Sequence, residues 1–150
     1  MQIKVCSTDE EILQCFPVIY QLRPHLQESN FVKTVRLQET ESYRLVCLTV
    51  MREHNDDAEK QEAEVVAVGG ARIMNNLAFG KILYIDDLIV DENNRSKGYG
   101  KALFDWFLDY ATENGCGRLH LDSGVQRYAA HRFYLTNRLE LRAHHFCRHV

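Results

Sequence analysis

Leu83-Tyr84-Ile85-Asp86-Asp87-Leu88-Ile89-Val90 leads through the turn Asp91-Glu92-Asn93-Asn94 into Arg95-Ser96-Lys97-Gly98-Tyr99-Gly100-Lys101. The first part belongs to the most apolar segment of the chain, Lys81 to Val90, and is predicted to be a buried strand. From Gly98 the apolar spacing changes to 3.6. Ala102, Leu103, Trp106, Phe107, Tyr110 and Ala111 form one stripe, and Lys101, Asp105, Asp109 and Glu113 take the opposite face. Asn114-Gly115 stops the helix. A strand therefore enters a helix N-terminus through a turn from which Gly98 and Gly100 remove Cβ atoms. The first N–H groups of a helix lack intrahelical partners, and the helix dipole adds about half a positive charge there. With Arg95, Lys97 and Lys101 around the same point, the combination suits a phosphate or pyrophosphate.

The flanking sequence supplies the other elements. Residues 2–6 alternate as a short strand. Thr8 and Glu11 make a capping-box signal, followed by Ile12, Leu13, Phe16, Ile19 and Tyr20 at helical spacing. Pro17 is expected to kink that helix and Pro24 to end it. A second helix is predicted over Asn30 to Thr40. The alternating runs Tyr43 to Met51 and Ala63 to Met74 are predicted strands. The acidic stretch from Glu53 to Glu62 between them reads as a solvated hairpin end and not as a cation site. A strand over Arg118 to Asp122, a helix over Val125 to Thr136 and a closing strand over Leu139 to Val150 complete the order βααβββαβαβ. That order predicts an α/β (α+β) fold with a mixed sheet and helices on both faces.

A length of 150 residues sets one domain, 1–150. With 45% hydrophobic and 26% charged residues, the composition is that of a globular protein. A net charge of -3 and a pI near 6.1 argue against nucleic acid as a partner. No apolar run reaches the ~18–20 residues of a membrane span, and Met-Gln-Ile-Lys-Val-Cys does not read as a signal peptide. Cys6, Cys15, Cys47, Cys116 and Cys147 are scattered and include no Cys-x-x-Cys pair. They read as reduced thiols of a cytoplasmic protein, not as a disulfide or zinc framework. His145, Cys147 and His149 would share one face of the closing strand, but no fourth ligand is evident. A surface or homodimer-contact strand is expected there, and no metal.

Elimination narrows the anion. The chain has no Walker A loop, and a dinucleotide fingerprint fails at Leu103, where close helix–strand packing needs Gly or Ala. The spacing that fits is Arg-x-x-Gly-x-Gly, Arg95 to Gly100. On these residues the chain resembles the GNAT superfamily of acetyl-CoA-dependent N-acetyltransferases. The likeness covers nearly the whole chain by element order and is sharpest over 82–139, where Leu88-Ile89-Val90 matches the family's apolar lead-in. The resemblance implies a mostly antiparallel central sheet and acetyl-CoA as co-substrate. It implies that the loop Arg95, Ser96, Lys97, Gly98, Tyr99, Gly100 and Lys101 cradles the CoA pyrophosphate. The pantetheine arm would pair with the backbones of Ile89 and Val90, with oxyanion donors near Leu88.

Acetyl transfer to an amine needs a base for the ammonium proton, donors for the oxyanion and an acid for the leaving thiolate. Asp86 and Asp87 are costly to bury unless paired or used, and burial should raise at least one pKa. On a regular strand they face opposite sides, so only one enters a given cleft. The segment resembles the strand of spermidine/spermine-type acetyltransferases, which makes Asp86 the base and Asp87 its partner or an anchor for a substrate ammonium. The alternative is a salt-bridged pair at a sheet bulge. Tyr134, in Ala130-His131-Arg132-Phe133-Tyr134, falls in register with the family tyrosine that reaches the CoA sulfur, although it could simply pack its helix. Arg127 stands where the family carries Asn and is assigned to a CoA phosphate. Arg138-Leu139 stands where the family carries Gly-Phe. Arg23, His25, Tyr43 and Arg72 are candidate acceptor-site residues, and the acidic pair favours a cationic amine. The resulting expectation is direct transfer of acetyl to a primary amine of a small molecule or peptide. The alternative is a non-catalytic, CoA-binding regulatory domain of the same fold.

Overall fold

A computed structural model describes the backbone of residues 1–54 and 57–150 and the side chains outside 53–62. The elements in order are β1 (Gln2–Val5), α1 (Asp9–Gln14), α2 (Phe16–Leu22), α3 (Glu28–Glu39), β2 (Tyr43–His54), β3 (Asp57–Asn76), β4 (Gly80–Val90), a 3₁₀ turn (Glu92–Asn94), α4 (Tyr99–Glu113), β5 (Arg118–Leu121) and α5 (Tyr128–Thr136). The chain forms two compact units, Met1–His120 and Leu121–Val150.

Local chemistry sets the element boundaries. The Thr8 hydroxyl accepts from the Glu11 N–H, and the Glu11 carboxylate accepts from the N–H groups of Thr8 and Ser7, the Ser7 hydroxyl and the ammonium of Lys4. Four donors on one carboxylate hold its pKa down at about 2. The expected first helix is two helices that meet at Cys15, and Pro17 lies in the first turn of α2, where a missing N–H costs nothing. Gly98 adopts φ 84°, a left-handed conformation open to glycine at no cost, and its carbonyl accepts the first α4 hydrogen bond from Ala102.

The sheet order is β1-β2-β3-β4-β5, and the first four strands pair antiparallel. Helices flank this mostly antiparallel sheet, as expected. One face packs α1, α2 and α3 around Cys6, Ile12, Ile19, Phe31, Val35, Leu45, Cys47, Val68 and Ile89. On the other, Phe107 of α4 presses onto Gly69, where a Cβ would sit 2.5 Å from its ring. Val46, paired with Gly69, shares that face. Gly70 serves the first face in the same way: a Cβ there would land on the Tyr43 hydroxyl and ring. The Gly69-Gly70 pair thus lets one aromatic ring approach β3 from each side.

Two expectations change. Much of the acidic stretch 53–62 is strand, because β2 runs to His54 and β3 starts at Asp57; residues 55–56 lie outside the described residues. The closing strand over Leu139 to Val150 is absent: no strand is assigned there, and residues 140–150 are exposed. Alternation makes a strand only where a neighbouring backbone completes the ladder. The common face of His145, Cys147 and His149 therefore does not form, and His145 Nδ1 instead meets Asp122 Oδ2 at 2.9 Å. No described helix is long and apolar enough to cross a membrane.

Gly70→Ala should force the Tyr43 ring aside at an overpacking cost of about 1–3 kcal/mol. At about 2–4 °C per kcal/mol for a chain of this size, melting should fall by several degrees. An unchanged melting temperature would show that the ring is not held against Gly70.

Candidate functional site

The register between β3 and β4 slips at one point. Gly70 faces Asp87 and Ala71 faces Ile85, so Asp86 is an extra residue in β4. Such a β-bulge bends the strand and re-aims its side chains. Asp86 and Asp87 consequently line the same cavity, which corrects the expectation that a regular strand would send them to opposite sides. The cavity has a volume of about 240 Å³ and is lined also by Ile19, Arg23, His25, Phe31, Tyr43 and Arg72, among others. Arg23, His25, Tyr43 and Arg72 thus share one cavity with the acidic pair.

Each carboxylate is already engaged. Arg72 Nε donates to Asp86 Oδ2 at 2.8 Å. Arg23 Nε donates to Asp87 Oδ1 at 2.9 Å, and the Tyr43 hydroxyl donates to Asp87 Oδ2 at 3.0 Å. Arg23 also donates to the Asp86 carbonyl at 3.0 Å, which ties the bulge to the end of α2. Both oxygens of Asp87 are occupied, whereas Asp86 Oδ1 accepts nothing from the described residues. Burial raises the Asp86 pKa, and the Arg72 hydrogen bond only partly offsets it. Burial, reinforced by Asp87, also pushes the Tyr43 phenol well up, so that it stays a donor. The salt-bridged bulge anticipated as the alternative is therefore present. The acidic pair is not a bare negative site, because two guanidiniums balance it.

Beyond β4 the chain is held by residues that the sequence reading treated as a plain turn. Asp91 caps the 3₁₀ turn through Asn93 N–H at 3.1 Å and accepts from Gln21 at 2.8 Å and Asn94 at 2.9 Å. Burial works against the Asp91 charge, but these bonds prevail and its pKa is lowered. Asn94, buried, accepts from Lys97 at 2.9 Å and Arg52 at 3.1 Å. Asp-x-Asn spacing before a basic loop is the signal that could have exposed this arrangement, since Asx side chains bond to backbone N–H groups two residues on.

The loop then presents Ser96 at φ 63° and Gly98 at φ 84° before α4. A Cβ on Gly98 would meet no protein atom within 4 Å. Arg95 and Lys97 are exposed, and Lys101 is paired with Asp105 at 2.5 Å. Leu88 and Val90 are half-buried and Ile89 is buried against the α1–α3 face. Beside β4, Gly117 N–H donates to the Lys81 carbonyl at 2.9 Å. The four residues of β5 that follow span roughly 13 Å, too short to run beside β4 as far as Leu88–Val90.

In the second unit Tyr134 lies on α5, half-buried, its ring 5.6 Å from that of Phe133. Burial raises its phenol pKa. Arg127 is the residue before α5, one helical segment from Tyr134 and near enough for its charge to act on that phenol.

The sequence model of the "Acetyltransferase (GNAT) family" matches residues 10–137. The chain belongs to the GNAT acetyltransferase family. It is 32% identical over 135 residues to YhdJ of Bacillus subtilis (strain 168), named an uncharacterized N-acetyltransferase, covering 89% of this chain and 87% of that one. The fold is shared with ribosomal-protein-alanine N-acetyltransferase from Brucella melitensis biovar Abortus 2308 (TM-score 0.79, 14% identity, 100% of both chains). A GNAT family acetyltransferase of Staphylococcus aureus is similar (TM-score 0.77, 16% identity, 99% and 98% covered). So is a Bacillus halodurans C-125 protein called a transcriptional regulator (TM-score 0.78, 17% identity, 99% and 100% covered). As a GNAT acetyltransferase, the family assignment carries acyl transfer from acetyl-CoA.

The raised Asp86 pKa has a defined sign. The folded chain keeps this proton to higher pH than the unfolded chain, so stability falls as pH rises from the ordinary carboxylate range through the raised value. Asp86→Asn should remove that segment of the stability–pH curve. In Arg72→Met the Asp86 pKa, followed by carboxyl ¹³C shifts, should rise further; a fall would show that the guanidinium does not stabilise the charge.

Proposed function

We propose that this GNAT protein transfers acetyl from acetyl-CoA to a primary amine by direct attack, and that the acceptor amine is seated beside Asp86. The supporting observation is the continuity of β4: one strand carries the paired carboxylates at its bulge and then feeds the basic glycine turn at the start of α4. The cradle suits a pyrophosphate. Gly98 leaves open space where any other residue would project a Cβ, and the following N–H groups at the helix start lack intrahelical acceptors. Arg95, Ser96, Lys97, Gly98, Tyr99, Gly100 and Lys101 would hold the phosphates, with Arg127 assigned to a further one, and Leu88, Ile89 and Val90 would offer backbone groups to the arm. When bound, acetyl-CoA supplies the electrophilic carbonyl carbon and a thiolate leaving group.

Asp86 is the better base of the pair. One of its oxygens accepts nothing from the described residues, and burial makes it more basic than an ordinary carboxylate. Asp87 holds Arg23 and Tyr43 and positions the cavity wall. Tyr134, whose raised pKa keeps it protonated at neutral pH, is the assigned acid. Five free thiols suit a reducing, cytoplasmic setting.

The charge balance narrows the acceptor. A polyamine would bring further positive charge to Arg23 and Arg72. A primary amine that also carries a carboxylate or phosphate would give the ammonium to Asp86 and the anion to a guanidinium. We therefore assign the acceptor to amino-acid-like or phosphorylated amines. The ion pairs of Asp86 and Asp87 also suit a non-catalytic CoA-binding domain, and variants separate the two readings. Asp86→Asn should lower turnover most at low pH, where deprotonating the amine limits the rate, and Tyr134→Phe should lower it throughout. Unchanged rates in both would remove Asp86 and Tyr134 as base and acid, and CoA binding without thiol release from any amine would favour the non-catalytic reading.

Gly98→Glu should abolish CoA binding by calorimetry while costing about 1–2 kcal/mol of stability from the left-handed backbone. Unaltered affinity would overturn the cradle. In a thiol-release screen, amines bearing an anion should exceed spermidine and aminoglycosides in kcat/KM; the reverse order would overturn the acceptor assignment alone.

A further inference from the structure

Three of the five cysteines meet in the core, away from the acceptor cavity. Cys6 follows β1, Cys15 is the single residue between α1 and α2, and Cys47 lies in β2, where it pairs with Lys4. Their exposures are 2%, 0% and 2%. The three Sγ atoms all lie within 4.8 Å of one another, with Cys6 and Cys15 3.6 Å apart. A buried thiol can act as a small apolar side chain. That role does not account for three thiols from three elements aimed at one point among Ile12, Val18, Ile19 and Leu45, where aliphatic groups already fill the core.

We propose that Cys6, Cys15 and Cys47 form a three-coordinate site for a soft, thiophilic monovalent cation of the copper(I) type. The triangle has the right size: metal–sulfur bonds of about 2.3 Å to a central ion place the sulfurs roughly 4.0 Å apart. Softness matches, because thiolates select copper(I) over hard cations. Structural zinc takes four ligands, but among the described residues the group of ligating side chains ends at three, and exposures of 0–2% leave no route for a water as the fourth.

The charge is also manageable. Copper(I) with two thiolates and one thiol leaves the site at -1, and Lys4, whose charge acts on both Cys6 and Cys47, lies beside it. Each thiol that becomes a thiolate ligand releases one proton to solvent, and no oxidation state changes. The Cys15 thiol donates to the Glu11 carbonyl at 3.3 Å, a bond it exchanges for the metal.

The test offers copper(I), buffered by bicinchoninate under argon, to the folded full-length chain and to the chain during refolding from guanidinium. Copper per chain is measured after desalting. Wild type and the Cys116→Ser/Cys147→Ser double variant should each keep one copper, with three sulfur neighbours by X-ray absorption and a raised melting temperature. Cys15→Ala and Cys47→Ala should keep none. Because those variants touch the core, the double variant, which leaves the cluster intact, decides the matter by itself. No copper retained against the chelator, copper lost in the double variant, or a Cys6–Cys15 disulfide in its place would each overturn the site. None of these readouts depends on acetyl transfer.

Discussion

One extra residue in β4, Asp86 opposite the Gly70–Ala71 step, sets most of what surrounds it. A register slip of one residue exchanges the faces of a strand. Here the slip is absorbed locally, so the two carboxylates share a side while Ile89 still packs in the α1–α3 core with Val68. Two acids on one side of an apolar strand demand compensation. Arg72 arrives from β3 and Arg23 from the end of α2. Tyr43 completes the coordination of Asp87, and its ring fits only because Gly70 has no side chain. Bulge, glycine, tyrosine and two arginines form one mutually dependent set.

That set is an uneconomical way to stabilise a fold. Partly buried ion pairs seldom exceed the desolvation cost of their own charges, and apolar residues of similar volume often serve as well. The pairs do more to orient groups than to hold the sheet together. They fix Asp86 with one oxygen that accepts nothing from the described residues, keep Tyr43 as a donor, and leave two guanidiniums at the wall of a cavity. A pocket of alternating charge discriminates by whether a ligand leaves any of these groups without a partner.

What could be read from the sequence is what depends on near neighbours. The capping box at Thr8 and Glu11, the helix stripe after Gly98 and the Arg95–Gly100 spacing are decided within a few residues, and the fold class follows from their order. The bulge is not local: it exists only against β3, so the alternation of β4 alone sent Asp86 and Asp87 to opposite faces. Their partners are equally remote, since Arg23 lies 64 positions from Asp87. The terminal segment fails in the opposite sense, because its alternation from Leu139 is real while no ladder is formed. Scattered cysteines gave no spacing signal, because it is the β1–β2 register that places Cys47 beside Lys4, close to Cys6.

The short helix α2 links the two ends of the candidate site in the first unit. Ile19 and Arg23 line the cavity that holds Asp86 and Asp87. Between them, Gln21 accepts from Glu92 N–H at 3.0 Å and donates to Asp91 at 2.8 Å, gripping the turn that leads to Arg95–Gly100. Asn94 then passes the constraint on to Lys97. A two-reactant transfer gains much of its rate from fixing relative position, and misplacement by about 1 Å can cost on the order of 100-fold. Arg23 at the end of α2 holds the Asp86–Asp87 bulge and Gln21 within it holds the Asp91–Glu92 turn ahead of the glycine loop, which makes Gln21 as much a part of the geometry as the ionised groups.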